Sequence, residues 1–275
     1  MGLRLVSCNL VLHILLLLSG YRISAREFAE KNLKEVHQID FHLHPSVSHK
    51  DYKEFFFFRD LKVGQKMPFH FPVHDSPHFL SREEADSIPF SLKQLPYLLK
   101  YFSSQYDSCE AEVIEDTLRK CEANPNEGES KFCATSLESM LDFARSFFGL
   151  ETNFKAVSTI HLTKPTNIVQ NYTVLDVPQE IPAPKVVSCH FLSYPYAVFG
   201  CHSQITENKV FRVLLGGDNG DTVEAIAVCH MDASQWTHNH LSFWVLDIEP
   251  GNSPVCHYFP AVNIVFVPAS AAIDA

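Results

Sequence analysis

Four Cys-His dipeptides set the strongest constraint on what this chain can fold into. They are Cys189-His190, Cys201-His202, Cys229-His230 and Cys256-His257, separated by 10, 26 and 25 residues. In a chain with 8 Cys and 15 His, chance rarely makes that pairing four times. Along an extended strand, neighbouring side chains point to opposite faces. In the stretch before the third pair, Val223, Ala225, Ala227 and Cys229 share one face, and Glu224, Ile226, Val228 and His230 share the other. The pattern therefore predicts four cysteines that are buried or bridged and four imidazoles converging on a separate surface.

Gathered imidazoles suit copper, zinc or nickel, because a neutral imidazole is a borderline ligand that all three accept. The spacing is not that of a zinc finger, which needs close Cys or His pairs. One Cys-His dipeptide would be read as an ordinary polar histidine beside a disulfide; four place the metal reading ahead. Asp232, downstream of the third pair, is a candidate to orient a ligating imidazole through its second ring nitrogen. The alternative is an Asp232-x-Ser234 turn with local hydrogen bonds.

The chain of 275 residues is 46% apolar and carries 22 Phe against 10 Gly. It can bury a real core as one large domain or two small ones. The net charge of −10 argues against nucleic acid as a partner. Residues 1–25 read as a secretory signal peptide: Arg4 is the basic start, Leu10 to Leu18 the apolar run, and Ile23-Ser24-Ala25 the cleavage site. The run falls short of the roughly 20 residues a spanning helix needs, so no membrane span is expected in the mature chain. A luminal or extracellular location is expected for the mature chain.

Seven cysteines remain after the signal, and an oxidising compartment favours pairing. Cys109 and Cys121 bracket a helical stretch of about 18 Å, beyond the ~7 Å limit between bridged Cα atoms. Cys121 and Cys133 flank a turn-rich segment and are expected to pair. Cys189, Cys201, Cys229 and Cys256 would pair among themselves, in any of three connectivities. Cys109 is left over, as a buried thiol or an intermolecular link.

Residues 26–54 form a polar arm with Tyr52 as its lone tyrosine. Phe55 to Phe58 reads as a strand buried on both faces. His70, His74 and His78 are four apart, but Pro68, Pro72 and Pro77 forbid the helix that would align them. Capping boxes at Ser81/Glu84 and Thr135/Glu138 announce helices. Between them, helices are expected over about 91–102, restarted at Pro96, and 107–121. The stripe Leu137, Met140, Leu141, Ala144 and Phe148 ends at Gly149. Asn171-Tyr172-Thr173 is an N-glycosylation sequon. Strands are expected at 209–215 and 222–229 around a hairpin turn at Gly216 to Asp221, and at 241–248 and 264–267. The fold class expected is α+β: a helical N-terminal half, about 81–149, packed on a strand-rich, disulfide-stapled C-terminal half.

The spacing CH-x10-CH-x26-CH-x25-CH resembles the signature of the BURP-domain family of plants. The phenylalanines 55–58, the segments 80–90 and 133–140, Tyr194 to Phe199, the motif Cys229-His-x-Asp-x-Ser-x-Trp236 and Pro254 to His257 are similar to family segments. The resemblance covers residues 55–268, leaving a signal peptide (1–25), an arm (26–54) and a tail (269–275). It implies a secreted protein of the wall or seed compartment, with a role in development or stress response. Some members are copper-dependent peptide cyclases, which crosslink Tyr or Trp of a peptide usually carried in their own arm. By that resemblance His190, His202, His230 and His257 would be copper ligands, and a wall polymer or a secreted peptide would be the partner. The arm here carries no repeated aromatic core peptide, so cyclisation would act on a separate peptide. A metal-storage module is a further alternative.

Overall fold

A computed structural model describes residues 55–72, 78–166, 169–251 and 253–269. The expected signal segment, the expected arm with Tyr52, and His74 lie outside the described residues. Thirteen strands and five α-helices appear among those described. No helix of the described residues is long and apolar enough to cross a membrane.

The strands form two antiparallel sheets. The first runs β1 (Phe55–Phe57), β12 (Val255–Phe259), β11 (Thr222–His230), β10 (Asn208–Gly217), β6 (Val169–Val174), β2 (Lys66–His70), with β5 (Ile160–His161) on β11 and β7 (Gln179–Ile181) on β10. The second runs β3 (Glu129–Ala134), β9 (Val198–Gln204), β8 (Val187–Leu192), β13 (Ile264–Pro268), β4 (Phe154–Val157).

The first sheet is rolled upon itself. Phe69 on β2 stands edge-on to Tyr258 on β12 at 4.7 Å between ring centroids, although these strands lie far apart in the pairing order. Phe56 stacks on Tyr258 at the same spacing. Inside the roll lie Val223, Ala225, Ala227 and Cys229 of β11 with Cys256, Tyr172 and Val213. The alternate residues Ile226 and Val228 leave the roll and meet Val265 and Val267 of the second sheet. The two-face reading of this strand holds residue by residue. On its far side the second sheet packs Val187, Cys189, Phe199, Cys201 and Phe266 against Met140, Ala144 and Phe148 of α4 (Leu137–Phe148).

The remaining helices of the N-terminal part are α1 (Arg82–Ser87), α2 (Leu95–Tyr101) and α3 (Cys109–Glu122). They gather around Tyr194, Tyr196 and Val198. Ser81 and Glu84 make the expected capping box, and Pro96 sits in the first turn of α2, where its missing N–H costs nothing. The cap of α4 falls one residue later than expected, at Ser136 with Ser139. Gly149 closes that helix at φ 97°, a backbone conformation open to glycine.

Three expectations are corrected. A helical N-terminal half is not what forms: the folded chain opens on β1 and β2, β3 interrupts the helices, and strands dominate. Bonded to α3 through Cys121–Cys133, β3 becomes an edge of the second sheet. Residues 241–248 are not a strand but α5 (Leu241–Leu246), capped by His240 and stopped by Asp247 in the left-handed region. Its run of large apolar residues mimics a strand, while burial of Ser242, Phe243 and Leu246 follows a helical face. Of Phe55–Phe57, Phe56 alone is fully buried, because β1 is an edge.

The Tyr194 and Tyr196 hydroxyls are buried and find no hydrogen-bond partner. An orphaned hydroxyl costs on the order of 1–3 kcal/mol. Tyr194→Phe is therefore expected to leave stability unchanged or raise it by about 1 kcal/mol, read from the urea midpoint; a loss comparable to a core truncation would contradict this.

Candidate functional site: an inter-sheet histidine quartet

The Cys-His dipeptides sit on two pairs of neighbouring strands. Cys189 on β8 faces Cys201 on β9, and Cys229 on β11 faces Cys256 on β12. Direct opposition brings each pair of Cα atoms to 4.0 Å, and both pairs are bridged. That resolves the connectivity among the three open possibilities. The third disulfide joins Cys121 to Cys133, as expected, and Cys109 takes no part in a disulfide.

Because each His follows its Cys, each imidazole projects to the opposite face, into the space between the sheets. His190 and His202 enter from the second sheet, His230 and His257 from the first. Within each sheet the rings close on one another: Nε2 to Nε2 is 3.2 Å for His190 and His202 and 3.4 Å for His230 and His257. Across the gap, ring centroids are 5.6 Å apart for His190 and His257 and 6.4 Å for His202 and His230. Phe259, fully buried, stacks on both His190 and His257 at 4.8 Å. His230 is buried, and the His202 side chain keeps 20% of its surface exposed. The imidazoles share a surface separate from the cysteines, as the alternation predicts, and that surface is the one between the layers. Trp236 stands edge-on to His230 at 4.9 Å and lies 4.4 Å from His240.

Groups around the quartet fix which ring nitrogen carries the proton. Asn208, directly opposite His230 on β10, donates its amide to the Thr206 carbonyl, so its Oδ1 faces His230 Nδ1 at 2.7 Å. His230 must donate from Nδ1 and present a lone pair at Nε2. Glu129 Oε1 lies 2.9 Å from His202 Nδ1. That contact is close but not aligned as a hydrogen bond; the carboxylate's charge still draws the proton to Nδ1, leaving the His202 Nε2 lone pair exposed. Asn263 does the reverse. Its Oδ1 accepts from the Phe191 N–H at 2.9 Å, which turns its amide toward His190 Nδ1 at 3.3 Å. His190 then keeps its proton on Nε2 and donates it to His202 Nε2.

Burial is the largest influence on three of these rings. It holds His190, His230 and His257 well below the ordinary imidazole range, with neighbouring imidazoles adding to the effect. At His257 a backbone hydrogen bond with Tyr258 pulls the other way.

Among the described residues, no three or more His, Cys, Asp or Glu side chains already stand as a ligand cage. The quartet is closed as two Nε2 pairs. Two imidazoles on a tetrahedral ion, with bonds of about 2.0–2.1 Å, have nitrogens about 3.3–3.4 Å apart, close to the 3.2 and 3.4 Å within the pairs. Each pair therefore has the spacing of two imidazoles on one borderline ion; His230 would present its Nε2 lone pair to it directly, and His202 once it no longer accepts the His190 proton. His190 fits once its proton leaves Nε2.

Asp232 is elsewhere: its Oδ1 accepts from the Ser234 N–H at 2.9 Å, the local turn, and it is exposed. The carboxylate beside an imidazole is instead that of Glu129, on a strand far upstream of the Cys-His region, and no spacing in the sequence pointed to it. Asn208 was findable, since counting back from the hairpin turn pairs it with His230. Asn171 is exposed on β6, with its amide donating to Asp218 Oδ2 at 3.2 Å.

A two-sheet, disulfide-stapled domain with imidazoles meeting between the sheets is the class that this geometry defines. The profile of the family described as BURP domain matches residues 54–268, and the chain belongs to that family. It is 42% identical over 265 residues to BURP domain-containing protein BNM2C of Brassica napus, covering 92% of this chain and 94% of that one. It is 41% identical to BURP domain protein USPL1 of Arabidopsis thaliana, covering 78% and 79%. To BURP domain protein RD22 of the same plant it is 40% identical, covering 77% of this chain and 55% of the relative.

The depressed imidazoles make acid destabilising. Above about pH 6.5, the unfolded-state imidazole value, folded and unfolded forms bind equal protons at these sites. Below it the unfolded chain takes up protons that the fold refuses, so stability falls. Each imidazole kept neutral contributes a slope of up to about 1.4 kcal/mol per pH unit. Urea unfolding of chelator-treated protein above, near and below that value should show stability flat, then dropping; a flat profile throughout would be inconsistent with three buried neutral rings.

Proposed function

We propose that this is a secreted BURP-domain protein of the plant wall or seed compartment whose histidine quartet takes up a copper ion. The carrying observation is that four imidazoles meet between two disulfide-locked sheets as two close Nε2 pairs, with the proton of His230 held on Nδ1 by Asn208 and that of His202 drawn there by Glu129. Copper is favoured over divalent competitors at nitrogen donors by the general affinity order. In this reading the disulfides hold the strands in register, Phe259 keeps one side of the site dry, and the exposed edge of the quartet admits the ion. The signal peptide would direct secretion and Asn171, exposed on its strand, would carry a glycan. A role in development or stress response, with a wall polymer as partner, follows the family.

A second reading is favoured by the partial exposure of His202 at the quartet: a copper-dependent peptide cyclase acting on a separate peptide. Bound copper would supply one-electron oxidation at an aromatic side chain. The protein's own contribution would be to position that ring at the exposed edge and exclude competing water. A storage module remains the third use of the same site.

Metal analysis of the purified mature chain separates these. Bound copper, followed by loss of two hydrogens from an added Tyr- or Trp-containing peptide under oxygen, supports the cyclase. Copper with unchanged peptide mass supports binding alone, and a copper-free protein that resists loading refutes the site.

His230→Ala is expected to weaken copper binding about tenfold or more while the protein still folds. Cys229→Ala breaks a disulfide between residues 27 apart in sequence, for which a loss of about 2–5 kcal/mol is typical, and should sharply reduce secreted yield. Equal folding defects in the two variants, compared by circular dichroism and yield, would count against separate roles for the two faces.

A further inference from the structure

Glu129 reaches the quartet from β3, an edge strand outside the Cys-His region. Its Oε2 accepts from the Asn126 backbone N–H at 2.8 Å and from Asn126 Nδ2 at 3.0 Å. Its Oε1 lies 2.9 Å from His202 Nδ1, and its side chain is 10% exposed. Asn126 lies in the turn closed by the Cys121–Cys133 disulfide, so a covalent tie to α3 steadies the residue that aims the carboxylate. Neutral side chains contact the other rings, Asn208 on His230, Asn263 on His190 and Phe259 beneath His190 and His257, and Lys131, the strand partner of His202, gives its ammonium to the Lys120 and Ala123 carbonyls. Among the described residues, Glu129 is the one carboxylate in contact with the quartet.

A buried carboxylate immobilised by two donors and placed behind an imidazole has a recognisable chemical consequence. It draws the ring's proton to the remote nitrogen, leaves the inner nitrogen as the donor atom, and lowers the energy of positive charge in the site. That last effect scales with the charge of the ion. Four neutral imidazoles alone would accept a monovalent or a divalent ion; a fixed negative charge nearby tilts the choice toward the divalent one.

We propose that Glu129 is a positioning residue that acts through His202 and gives the quartet a preference for Cu(II) over Cu(I). This inference rests on the reading that the quartet binds copper. It also assigns the Cys121–Cys133 loop a part in the site's chemistry that the Cys-His spacing does not disclose.

The test uses the full mature protein, wild type and Glu129→Gln, titrated with Cu(II) and separately with Cu(I) against competing chelators, with electron paramagnetic resonance of the Cu(II) form. Glu129→Gln should weaken Cu(II) binding roughly 10- to 100-fold, the usual range for outer partners of a ligand. It should weaken Cu(I) binding less. A tenfold difference between the two losses raises the reduction potential by about 59 mV. In a His202→Ala background the same substitution should have little effect, because its route to the metal is gone.

Equal losses for both ions, or no loss, overturn the proposal while leaving copper binding intact. Wild-type protein that binds neither ion overturns the copper reading itself. Should Glu129→Gln fail to fold by circular dichroism, Asn126→Ala loosens the carboxylate without removing its charge. A selective, few-fold loss of Cu(II) affinity then supports the proposal, and unchanged affinity overturns it.

Discussion

Direct opposition of cysteines across neighbouring antiparallel strands governs this structure. When Cys229 faces Cys256 and Cys189 faces Cys201, the strands cannot slide by one residue without breaking a covalent bond. A one-residue slip would carry every side chain to the other face. The bridges therefore fix register, register fixes facing, and facing sends the next residue of each dipeptide to the inner side. The sulfur pairs end up among apolar residues within the rolled sheet and beneath α4, while the imidazoles meet where the two sheets pack.

Joining two layers through buried polar rings carries a cost that an apolar interface would avoid. The surrounding groups limit that cost by hydrogen bonding or charge. They do so unequally: Asn208 and Glu129 free the inner nitrogens of His230 and His202, and Asn263 does the opposite at His190. The quartet is therefore chemically asymmetric, although the four dipeptides that build it are alike. Neighbours distinguish rings that the sequence repeats.

Much of this was legible where one local rule decided the outcome. Alternation along β11 separated Cys229 from His230, the turn at Gly216 to Asp221 implied the β10–β11 hairpin, and helix length excluded a Cys109–Cys121 bridge. Legibility failed where tertiary context decided. Residues 241–246 carry strand-like composition, yet cap on His240 and bury a helical face. β3 lies among helices in sequence but joins β9 in space. Glu129 was invisible for that same reason: strand pairing, not spacing, brings it to His202.

The two tryptophans of the chain occupy contrasting surroundings. Trp236 is 7% exposed and touches the His230 ring, whereas Trp244 on α5 is 67% exposed. The protein thus contains its own optical probe and its own internal reference. Blue-shifted emission from the inner indole will register events at the imidazoles, while the outer indole reports only solvent.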